Sequence, residues 1–129
     1  MTYRDLFDDE SDFESMTMYD YEEAAMNLAF YEHPLVYPAL GLVGEAGEVA
    51  DKVKKLYRDG HLSLGGDPIL ELNVDTRVEI AKELGDVMFY VTAVASDLGF
   101  DLDEIATMNI EKLNSRKRRG RLRGSGDNR

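Results

Sequence analysis

The chain has 129 residues, 43% of them hydrophobic, with no cysteine and a net charge of −11, a length that suits one domain with a modest core. The lack of cysteine excludes a disulfide framework and a thiolate metal site. Charges interrupt every apolar run before the roughly 18 residues a membrane span needs, so a soluble, cytoplasmic protein without a membrane partner is expected.

Residues 1–16, beginning "MTYRDLFDDESDFES", are acidic and weakly periodic. They read as a flexible acidic segment, because a signal peptide would be basic and then apolar. Thr17 with Asp20 then offers an N-terminal cap to a first helix, in which Tyr21, Ala25, Leu28 and Ala29 recur at helical spacing until about Pro34. Pro38 opens a second helix that runs to about Tyr57 and stops at Arg58-Asp59-Gly60. The stretch "HLSLGGDPILELNVD" is broken by Gly65, Gly66 and Pro68 and reads as a loop with room for a short strand or hairpin. Asp75 or Thr76 caps a third helix that extends to about Leu98, and Asp101 caps a fourth that reaches about Arg118. Residues 119–129 form a basic, Gly-rich tail. The expected fold is all-α, a four-helix bundle-like subunit over residues 17–118.

At roughly 100° per residue, the second helix gathers Leu42, Val43, Ala46, Val49, Ala50, Val53, Leu56 and Tyr57 into one apolar arc. Glu45 lies on an edge of that arc, which Glu48, Lys52 and Gly41 share. The third helix repeats the arrangement: Ile80, Leu84, Val87, Met88, Val91, Val94, Ala95 and Leu98 form the arc, and Glu83 borders it with Glu79, Asp86 and Tyr90 alongside. If these two helices pack antiparallel, Glu45/Glu48 and Glu83/Asp86 face one another across a groove. Four gathered carboxylates disfavour one another's ionisation unless a cation neutralises them, and all-oxygen ligation points to Mg²⁺, with Mn²⁺ as a substitute. A di-iron site would want Glu-x-x-His pairs, but Phe30 and Arg58 stand three residues before His33 and His61. One Glu-x-x-Glu is weak evidence in so acidic a chain; two acidic pairs, each at a core edge beside glycine, carry the argument. Gly44, Gly47 and Gly85 would let a neighbouring helix or a ligand approach the backbone beside the acids.

The charge is unevenly placed: residues 1–111 hold 7 basic and 25 acidic side chains, and residues 112–129 hold 8 and 1. On the fourth helix, Asn109, Lys112 and Arg116 share one strip, so that one amide and two cations can meet a single ligand. A polyphosphate held between metal ions and these cations fits both halves of the charge distribution. Only Phe100 among the aromatics follows Tyr90, which argues against base-stacking beside the basic run and hence against a nucleic-acid partner. There is no Walker loop and no GxSxG.

The stretches "YPALGLVGEAGEVADKVKK", "KELGDVMFYV" and "NIEKLNSRKRRG", with the closing "GSGDNR", resemble the MazG-like branch of the all-α nucleoside triphosphate pyrophosphohydrolase superfamily over residues 17–129. The resemblance implies a helical dimer or tetramer that hydrolyses a nucleoside triphosphate (NTP or dNTP) to the monophosphate and pyrophosphate with Mg²⁺, clearing unwanted nucleotides from the pool. It maps Glu45, Glu48, Glu83 and Asp86 onto the metal-binding acids. Asn109, Lys112 and Arg116 match phosphate- or ribose-binding positions, and Tyr90 matches a nucleoside contact. Mechanistically, Glu45 or Glu48 is expected to orient or deprotonate the attacking water, while Lys112 and Arg116 stabilise the departing pyrophosphate. The alternative is a non-catalytic helical oligomer that binds nucleotide and Mg²⁺ without turnover.

Overall fold

The computed structural model describes residues 15–120, which form α1 (Met18–Leu28), α2 (Val36–Arg58), α3 (Pro68–Glu71), α4 (Val74–Asp97) and α5 (Leu102–Arg118), with no strand among the described residues. Most of the acidic segment expected over residues 1–16 and of the tail expected over 119–129 lies outside them. No helix among the described residues is long and apolar enough to cross a membrane.

Local chemistry sets the helix boundaries. Thr17 and Asp20 form a capping box: the Asp20 amide donates to Thr17 Oγ1 at 3.1 Å and the Thr17 amide to Asp20 Oδ2 at 3.3 Å. The helix they start stops at Leu28, earlier than the Pro34 boundary expected from the sequence. Its continuation is used for tertiary contacts instead. The Tyr31 hydroxyl donates to both carboxylate oxygens of Asp97 at 3.1 Å, and the Leu35 amide donates to Asp97 Oδ2 at 2.6 Å. Asp97, in the last turn of α4, thereby ties down the link between α1 and α2. Leu35 takes φ = 63° there and α2 begins at Val36, two residues before Pro38.

Two further boundaries differ from the sequence reading. The stretch after α2 holds no strand or hairpin but a single helical turn, α3: Asp67 accepts from the Ile69 amide at 2.9 Å and Pro68 occupies the first turn, where its missing N–H costs nothing. The third long helix starts at Val74, because Asn73 caps it by accepting from the Thr76 amide at 2.8 Å and so takes the place expected of Asp75 or Thr76. The last helix begins as its Asp101–Glu104 capping box dictates, and the Leu102 amide donates to Glu22 Oε1 at 2.6 Å, joining α5 to α1.

The main packing is α2 against α4, with α1 laid on α4 and α5 on both α1 and α4. Among the described residues few are fully enclosed: Ala25, Pro38, Leu72, Thr92, Ala93 and Ala95 are buried, and Thr92 satisfies its hydroxyl on the Met88 carbonyl at 2.8 Å. The apolar arcs are not all covered. Val43, Tyr57, Leu84 and Leu98 are more than half exposed, since one antiparallel neighbour cannot span so wide an arc.

Candidate functional site

Three contacts fix the antiparallel register of α2 and α4. Gly41 meets Tyr90, Glu45 meets Glu83 and Asp86, and Lys52 meets Glu83, so numbers rise along one helix as they fall along the other. The acidic pairs bordering the two apolar arcs are thereby turned toward one groove.

Near the middle of that groove, Glu45, Glu83 and Asp86 each place a carboxylate oxygen within 4.8 Å of the others. Glu45 and Glu83 are half-buried and Asp86 is exposed. Glu48 is exposed and outside this compact group, although it lies within electrostatic reach of Glu45. Partial burial, and then the charges of Asp86, Glu83 and Glu48, push the Glu45 carboxyl above its ordinary value. The donor set is wholly oxygen and formally −3, which fits a hard divalent cation. Lys52 supplies the local counter-charge, its Nζ 3.4 Å from Glu83 Oε1.

Toward the start of α2 the groove turns aromatic. Tyr31 stacks on Tyr37 with ring centroids 5.9 Å apart, Tyr37 tilts against Tyr90 at 6.4 Å, and Phe89 meets Tyr90 edge-on at 5.4 Å. A Cβ on Gly41 would overlap the Tyr90 ring, so this glycine is what lets the ring lie against α2. Burial first, then Tyr37, Glu45 and Asp86, hold the Tyr90 phenol above its ordinary range; burial and Asp86 do the same to Tyr21.

At the other glycines the expected approach of a neighbouring helix is not found, and the space beside them remains open to a ligand. A Cβ at Gly44, Gly47 or Gly85 would meet nothing within 4 Å, so no close helix approach among the described residues requires them. Among the glycines of α2, Gly41 is the one whose missing Cβ makes room for a neighbouring side chain.

Asn109 lines an open cleft of about 540 Å³ between α1, α4 and α5, together with Met18, Met88, Leu102 and Ile105. Lys112 is exposed and Arg116 half-buried farther along α5. This strip belongs to a helix that packs on α1 and α4, whereas the carboxylates lie between α2 and α4. The structure thus joins three of the sequence-nominated acids in one group, with Tyr90 within electrostatic reach, and places the α5 strip on a different helix pair. Sequence reasoning gave no role to Tyr21, whose only signal was its place in the apolar repeat of α1. It saw Lys52 on the acid edge without pairing it to Glu83.

Comparison with known proteins gives the geometry a family. Residues 38–120, which include the groove and the α5 strip, match the MazG nucleotide pyrophosphohydrolase domain. A relative from Mycobacterium phage L5, the Gene 37 protein, is 42% identical over 117 residues, covering 84% of this chain and 96% of its own. No solved structure matches the chain significantly. With a family match over more than half its length, this chain belongs to the MazG nucleotide pyrophosphohydrolase family.

Proposed function

We propose that this protein hydrolyses nucleoside triphosphates, NTP or dNTP, to the monophosphate and pyrophosphate in a Mg²⁺-dependent reaction that Mn²⁺ also supports. It acts as a cytoplasmic homo-oligomer, a dimer or tetramer, that clears nucleotides from the pool. The observation that carries this reading is the approach of Glu45, Glu83 and Asp86 oxygens to within 4.8 Å in a chain of this family. These three side chains would hold the cation, which when bound supplies neutralisation of triphosphate charge.

The remaining roles belong to the chain's own side chains. Glu48 stands one turn beyond Glu45 and is exposed, so it is free to orient or deprotonate a water at the edge of the group, a role it shares with Glu45. The Tyr90 face, backed by Tyr37 and Phe89, offers a surface for the nucleoside. Asn109, Lys112 and Arg116 meet phosphate or ribose, and Lys112 and Arg116 stabilise the charge of the departing pyrophosphate.

The test is to incubate the purified protein with a panel of NTPs and dNTPs and Mg²⁺ while assaying pyrophosphate. Release with at least one nucleotide supports the reading. Saturable nucleotide binding with no release across the panel would replace it with the non-catalytic alternative.

A further inference from the structure

Lys52 forms an ion pair with the carboxylate group through Glu83, and its geometry is that of a loose contact. At 3.4 Å from Glu83 Oε1 it lies beyond the roughly 2.7–2.9 Å of a formed charge-assisted hydrogen bond. Its side chain is only one-third exposed and that of Glu83 less, so solvent screens the pair incompletely. Lys52 also borders a cleft of about 170 Å³ that Lys55, Asp59 and Glu79 line and Glu83 does not. A four-carbon stem beside open volume allows the ammonium to leave Glu83 without any backbone movement. Lys55 differs, because its ammonium is engaged by Asp51 on its own helix.

A positive charge on Glu83 opposes a second positive charge at the same carboxylates, whereas a triphosphate offers the ammonium oxygens of higher charge density. We propose that Lys52 is a transferable counter-cation: it pairs with Glu83, lowers the affinity of the carboxylate group for a free divalent ion, and passes to a phosphate oxygen when cation and polyphosphate enter together. The inference rests on the reading that Glu45, Glu83 and Asp86 hold a divalent cation. Its consequence is that the cation binds well only as part of a metal–polyphosphate pair.

Titrating the full chain with Mn²⁺, followed by electron paramagnetic resonance of the free ion, tests this without reference to turnover. Lys52→Met is expected to bind free Mn²⁺ about tenfold more tightly than wild type, and Lys52→Arg, which keeps the charge, to match wild type. With a non-hydrolysable α,β-imido triphosphate present the order reverses, and Lys52→Met binds the Mn²⁺–analogue pair about tenfold more weakly. Lys55→Met should follow wild type in both titrations. Unchanged or weaker binding of free Mn²⁺ by Lys52→Met, in a variant whose circular dichroism shows it folded, overturns the counter-cation role. If wild type binds Mn²⁺ no better than Glu45→Gln/Asp86→Asn, the metal assignment fails and takes the Lys52 inference with it.

Discussion

Glu45 carries the strain of the site at the scale of single residues. Burial and three neighbouring acids raise its carboxyl, so between the ordinary value near 4.5 and its own higher value the folded chain binds more protons than the unfolded one. Its contribution to stability therefore falls as pH rises through that window. Glu45→Gln is expected to raise the cation-free Tm at neutral pH, by a margin that shrinks on acidification toward about pH 4, while lowering Mg²⁺-dependent turnover at least about 100-fold. Asp51 has the opposite sign: Lys54 and Lys55 hold it down to about 2, so its stabilisation is present above 3.8 and is lost as pH falls toward 2. The Tm deficit of Asp51→Asn should accordingly shrink in acid. Differential scanning calorimetry across pH checks both. Gly41→Ala should cost about 1–3 kcal/mol by forcing the Tyr90 ring off α2, and should raise KM if that ring faces the nucleoside. Glu45 and Glu83 were legible in the sequence because each sits at the edge of an apolar arc. Gly41 was not distinguishable from Gly44 and Gly47, since what separates them is a ring from another helix.

Elements were legible where both cap and period were local. The N-terminal caps at Thr17 and Asp101 announced the starts of α1 and α5 to the residue. The C-terminal end of α1 and the start of α2 were not, because the link between them is set by Asp97, more than sixty residues away in sequence. Replacing Asp97 by Ala removes the acceptor of the Tyr31 hydroxyl and the Leu35 amide together. It should cost about 1–3 kcal/mol in chemical denaturation, with little change in cation affinity. On α5, Lys112→Ala or Arg116→Ala is expected to impair kcat/KM by about tenfold or more with only a small fall in Tm, the signature of a lost charge-assisted contact to ligand. If these cations serve mainly the negative end of the helix dipole, Tm falls and kinetics hold. Steady-state kinetics and melting of the same variants separate the two.

For the whole molecule, the fold class followed from periodicity, but its coverage did not. Leu40, Val43, Leu84 and Ile110 are each more than half exposed, and a Cβ at Gly44, Gly47 or Gly85 would meet nothing within 4 Å, so α2, α4 and α5 present apolar surface that the described residues leave uncovered. A closed homo-oligomer would bury it. Sedimentation at micromolar concentration should therefore show a dimer or tetramer, and a monomer would remove the claim. Gly44→Ala adds a second readout: in an exposed helix it gains about 1 kcal/mol, whereas against a second copy it clashes and weakens association.

The central claim is that Glu45, Glu83 and Asp86 hold the cation for release of pyrophosphate, and phosphorus NMR of the reaction tests it most directly. With Mg²⁺ and a nucleotide that wild type accepts, the triphosphate resonances should give way to monophosphate and pyrophosphate alone. Chelation, Glu45→Gln or Asp86→Asn should each abolish the conversion while the fold persists. Diphosphate with orthophosphate as products, or wild-type conversion by either variant, would contradict it.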